Sequence, residues 1–150
     1  MKYSALKFSE IVLAAVAATL VSGSALARDT LLKLPIKDAM ENAAAREKLG
    51  TDVKFFFGPQ TTPKAEKSLG DFTSNKKTNF ANKSDKEGCE WAFLSAMISL
   101  KERAIAEGGN AVINIQSYYK KHEFSSATEY ECGAGAIMGG VTMRGTVVKL

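Results

Sequence analysis

A chain of 150 residues predicts one domain. Its net charge of +4 is mild: it permits contact with an anionic envelope surface and does not call for nucleic acid. Two cysteines and a single histidine leave few soft ligands for a metal centre.

The N-terminus has the layout of a secretory signal. Lys2 and Lys7 precede an apolar run from Ile11 to Val21, and Ala25-Leu26-Ala27 supplies the small-x-small cleavage pattern. The run is short for a membrane span, and no cysteine follows it where lipid attachment would need one. Residues 1–27 are therefore expected to be a signal peptide cleaved after Ala27. Residues 28–150 are then expected to be one periplasmic domain with no stable membrane span. Lys2 and Lys7 against Glu10 account for one positive charge, so the mature part carries +3.

Residues 28–50 begin extended and then turn helical. Pro35 suits a first helical turn, Ala39, Met40, Ala43, Ala44 and Leu49 favour continuation, and Gly50 stops it. Val53–Phe57 predicts a short strand, ended by Gly58-Pro59. A polar loop is expected at about 59–88. In it Lys64, Lys67, Lys76, Lys77, Lys83 and Lys86 outnumber the acids, and one edge strand is expected near Asp71–Thr78. Phe72 and Phe80 are its anchors to the core.

The stretch from Gly88 to Gln116 predicts a helix, a glycine stop and a buried strand. Phe93, Ala96, Met97, Leu100 and Ala104 recur at spacings of three and four and so line one helical face. Gly108-Gly109 supplies the left-handed residue that ends such a helix. Ala111, Ile113 and Ile115 then alternate with Val112, Asn114 and Gln116, placing the first three on the core face. After a polar loop from Tyr118 to Ser126, Glu129–Met138 and Val141–Val148 predict a hairpin turning at Gly139-Gly140. Gly145 marks a bulge or a close backbone approach. The fold class is α+β, a small mixed or largely antiparallel sheet on one main helix.

Cys89 and Cys132 both lie in the mature part, and export makes a disulfide between them the default, since oxidising compartments keep such bonds. It would close a loop of about 44 residues, for which chain entropy alone contributes roughly 4 kcal/mol. The alternative is a soft-metal site of Cys89, Cys132 and His122, but these three lack the paired spacing of zinc ligands. Glu90, Glu129 and Glu131 are candidate acid–base groups; Glu129 and Glu131 share a strand face, expected to be the solvated one. Trp91, Tyr118 and Tyr119 are candidate pocket aromatics. The glycines of residues 133–140 precede a strand rather than a helix, and no Gly-Lys-Ser/Thr occurs in the chain, so nucleotide binding lacks its usual cradle. No catalytic or cofactor-binding residue is assigned.

Ala96, Leu100 and Ala104 at four-residue spacing lead into Gly108-Gly109-Asn110-Ala111-Val112, with a closing Gly145-Thr146-Val147-Val148. This pattern, over residues 89–150, resembles the YbjQ-like/RcsF superfamily, with Gly109 and Val147 standing where alanine is usual. The whole layout is similar to a group of small exported bacterial proteins often labelled "excinuclease ATPase subunit". The motifs that carry this likeness are VKFFFG, KTNFANKSDKEGCEWAF, GGNAVINIQSYYK and EYECGAGAIMGGV. That label implies DNA repair and ATP hydrolysis, for which this chain has no phosphate-binding lysine motif. The superfamily implies a compact α/β fold with one main helix. For one branch it implies oligomers and a heavy-metal role; for the other, disulfide-stabilised envelope-stress sensing through protein contacts. The expected function is thus a non-enzymatic binding or envelope-sensing domain, with heavy-metal binding as the alternative. Its partner would be another envelope protein or an anionic surface, and the sequence specifies no oligomeric state.

Overall fold

The computed structural model describes residues 28–150; the expected signal segment lies outside the described residues. The organising element is the last strand, β6 (Met138–Lys149). Along one side it pairs antiparallel with β3 (Lys67–Asn79) over its whole length, from Lys67↔Lys149 to Asn79↔Met138. Its other side is divided. Its C-terminal half pairs with β4 (Ala111–Ser117), and its start pairs with β5 (Glu129–Gly135) at Gly133↔Gly140 and Ala134↔Gly139. β1 (Asp29–Pro35) extends the sheet beyond β5, and β2 (Lys54–Phe57) runs parallel to β4. The result is a curled six-stranded sheet, antiparallel except for one pair.

Two short helices, α1 (Ile36–Glu41) and α2 (Ala43–Leu49), follow β1 and are separated by Asn42, whose side chain caps α2 by accepting from the Ala45 amide at 2.8 Å. The main helix, α3 (Asp85–Ala106), covers one sheet face. It starts before Gly88 because Ser84 accepts from the Glu87 amide at 3.1 Å, and Asp85 and Glu87 sit favourably at the positive helix end. The stripe Phe93, Ala96, Met97, Leu100 and Ala104 is buried, as its spacing predicts. Gly108, at φ +79°, takes the left-handed conformation that ends the helix. Gly109 has a separate reason to be glycine: a Cβ there would lie 2.6 Å from Val147 Cγ1 and 2.9 Å from the Val148 carbonyl oxygen.

Four expectations are corrected. The edge strand expected near Asp71–Thr78 is present but longer, β3 running over 13 residues, and the polar stretch at 59–88 also holds the first turn of α3. The face of β3 towards α3 carries Phe72, Ser74, Lys76 and Thr78, so little hydrophobic alternation betrays its full length. In β4, Asn114 adopts φ +52° and the register with β6 shifts between Ile113 and Gln116. That bulge changes the inward phase: Val112 and Ile115 are fully buried while Ile113 is half-buried. The β5–β6 hairpin turns at Ala136-Ile137 rather than at Gly139-Gly140, which lie within β6. Gly139 instead receives the ring of Phe80, which is wedged between β6 and α3. A Cβ would fall 2.2 Å from that ring at Gly139 and 2.5 Å at Gly88. Glu131 is not on a solvated face, being 2% exposed.

Candidate functional site

The two cysteines sit on opposing elements of the core. Cys89 is in the first turns of α3 and Cys132 is mid-strand in β5; both are fully buried, with Cα atoms 5.9 Å apart and the sulfurs bonded. Tyr130, two residues before Cys132 and on the same side of the strand, packs on Phe93 at a ring separation of 4.3 Å. The bond therefore ties α3 to β5 inside a packed layer. Burial pushes the Tyr130 phenol well above its ordinary range, reinforced by the negative charges of Glu90 and Asp38. Its hydroxyl has no hydrogen-bond partner among the described residues.

His122 is exposed on the connection that crosses the other sheet face, so the structure does not bring it to the sulfurs. Among the described residues no cluster of three or more His, Cys, Asp or Glu side chains is placed to hold a metal ion. The three glutamates are dispersed too. Glu90 lies 3.8 Å from Lys86 on α3, Glu129 is exposed, and Glu131 is buried on the face away from α3. The Glu131 amide donates to Ser117 Oγ at 2.8 Å, while its Oε2 has no hydrogen-bond partner among the described residues. Trp91 is 43% exposed on α3, whereas Tyr119 packs on Gly133 of β5, and the two line different cavities.

Alternation along β5 sends Cys132 towards α3 and Gly133 towards the other face. There the chain after β4 folds into a single 3₁₀ turn, Tyr119–Lys121, with Lys120 and Lys121 in left-handed conformations. Tyr119 lies flat against Gly133: a Cβ at that glycine would come 2.1 Å from the phenolic oxygen. Beside this contact opens a cavity of about 320 Å³. Asn75 and Lys77 of β3 form one wall, Thr142 of β6 and the glycines of the β5–β6 hairpin the floor, and Arg28, Asp29, Tyr119 and Lys120 the other wall. The volume falls at the lower end of small-molecule sites.

The cavity's charges are unequal. Lys120 Nζ donates to Asp29 at 2.5 Å, which lowers the Asp29 pKa and raises that of Lys120. Arg28 pairs with Asp85 at the start of α3. Lys77 has no ion-pair partner among the described residues. Tyr119 was legible as a pocket aromatic and Asn75 and Lys77 as residues of an edge strand, but their meeting in one cavity was not. Lys77 and Asn75 share a face only because β3 is a strand, and Arg28 and Asp29 arrive through the pairing of β1 with β5. The glycine run 133–140, unsuited to a nucleotide loop, serves as close-packed floor.

No protein-family model matches the chain, and no curated protein or solved structure matches it significantly.

Proposed function

We propose that this chain is exported, loses residues 1–27, and works in the periplasm as a disulfide-stabilised, non-enzymatic domain that binds or senses a partner in the envelope. The Cys89–Cys132 bond is the observation that carries the reading. A buried disulfide between the main helix and a central strand suits a protein that folds in an oxidising compartment. The signal-like N-terminus points to the same compartment. Two sulfurs bonded to each other offer a soft metal no thiolate, which favours partner binding over the heavy-metal alternative. The dispersal of Glu90, Glu129 and Glu131 gives acid–base catalysis no joint site. We further place the chain with the YbjQ-like/RcsF superfamily, on the helix, Gly-Gly-Asn-Ala-Val strand and closing Gly-Thr-Val-Val strand.

Alkaline phosphatase fused after Leu150 tests the compartment. The fusion should be active in intact cells and lose activity when residues 11–21 are deleted. Removing the gene should alter the envelope-stress response. An inactive fusion together with an unchanged response would overturn the reading.

A further inference from the structure

The cavity beside Tyr119 holds an imbalance of charge. Of its three side-chain cations, Lys120 is neutralised by Asp29 and Arg28 by Asp85, while Lys77 is matched by no acid among the described residues. Cleavage after Ala27 would make Arg28 the first residue, and its α-amine, with an ordinary pKa of about 7.7–8.0, would add a further positive charge at the rim. The backbone of Arg28 lies beside the floor, since a Cβ on Gly135 would stand 3.4 Å from the Arg28 carbonyl oxygen. Lys77 on the wall of a groove of about 320 Å³, joined after cleavage by the α-amine of Arg28 at its rim, would suit a compact dianion. Asn75 and Thr142 supply neutral hydrogen-bonding groups on the groove wall and floor, and the Tyr119 ring supplies an apolar surface.

We propose that this groove binds a small phosphate monoester of about monosaccharide size, with Lys77 and the α-amine of the mature N-terminus holding the phosphate and Asn75, Thr142 and Tyr119 contacting the hydroxylated ring. A phosphate monoester carries about −1.5 to −2 charges at neutral pH, matching the two unpaired cations. This proposal rests on the reading of the chain as an exported binding domain and gives that domain a ligand class.

The test uses isotopically labelled chain recovered from the envelope fraction, with its N-terminus determined by mass, and glucose 6-phosphate, inorganic phosphate and glucose as probes. Glucose 6-phosphate should shift the amide signals of Lys77, Gly135 and Thr142 saturably, with a Kd below about 1 mM. Inorganic phosphate should bind more weakly and glucose should cause no saturable shift. Lys77→Glu should weaken glucose 6-phosphate at least ten-fold. Lys67→Glu, the same charge change on the same strand outside the groove, should leave its Kd unchanged. No saturable shift with glucose 6-phosphate, equal binding of glucose, or equal losses for Lys77→Glu and Lys67→Glu would each overturn the proposal. A chain absent from the envelope fraction would instead count against export, and the same titration on the full chain would still test Lys77.

Discussion

Tyr119 and Gly133 are in such close contact that the phenol occupies the space a Cβ would need, 2.1 Å from its oxygen. The turn after β4 is thereby clamped to β5 on the face opposite α3, and the clamp defines one wall of the cavity. Gly133→Ala should cost about 1–3 kcal/mol, the usual penalty for overpacking a filled site. On a Tyr119→Ala background the same change should cost under about 1 kcal/mol, because the clashing ring is gone. Denaturant unfolding of the four proteins in this cycle measures the coupling.

The disulfide joins α3 to β5 across 43 positions of sequence. Replacing both cysteines by serine should lower stability by about 2–4 kcal/mol while leaving the buried stripe of α3 in place. Equal melting temperatures for the double variant and the parent would refute a structural role for the bond.

Tyr130 buries a hydroxyl that has no partner among the described residues. Tyr130→Phe removes the unsatisfied group and should stabilise the domain by about 1 kcal/mol. The pH dependence follows from the same burial. The folded-state phenol pKa is raised, so its contribution to stability is complete below the unfolded value of about 10 and falls as pH rises above it. Alkaline unfolding should thus set in at higher pH for Tyr130→Phe than for the parent, measured by circular dichroism.

Asp29 and Lys120 meet at the cavity wall. The Asp29 pKa is lowered chiefly by its hydrogen bond to Lys120, so the pair's contribution is present above about pH 3.9 and is lost as pH falls through the folded-state value. Carboxyl carbon shifts should show Asp29 titrating below that ordinary value in the parent and close to it in Lys120→Met.

The α3 stripe was legible because Phe93, Met97 and Leu100 follow one period without interruption and their surroundings are apolar. The close approach at Gly145 was also legible, and its Cβ would lie 2.6 Å from Val112 Cγ1. What escaped was decided by neighbours rather than by local pattern. Phe80 needs Gly88 and Gly139 stripped of side chains, so the Gly-Gly pair that resembles a turn is a seat for a ring. Asn114 breaks the alternation of β4 by a single left-handed residue, which asparagine tolerates better than most. β3 was legible as an edge strand near Asp71–Thr78, but its helix-facing side is half polar, so its full 13 residues and its place as the groove wall carrying Lys77 were not.

Phe80 offers the sharpest check on that reading of the glycines. Phe80→Ala should cost about 3–5 kcal/mol by emptying the space between α3 and β6. Adding Gly139→Ala to this variant should be far less harmful than in the parent, where a Cβ meets the ring, and thermal unfolding of both pairs would show it.

The central claim, an exported domain locked by Cys89–Cys132, is tested most directly by the intact mass of the protein taken from the envelope fraction without reductant. The expected mass equals that of residues 28–150 less two hydrogens. A full-length chain with both thiols free, or a mature chain carrying a metal and no disulfide, would contradict it.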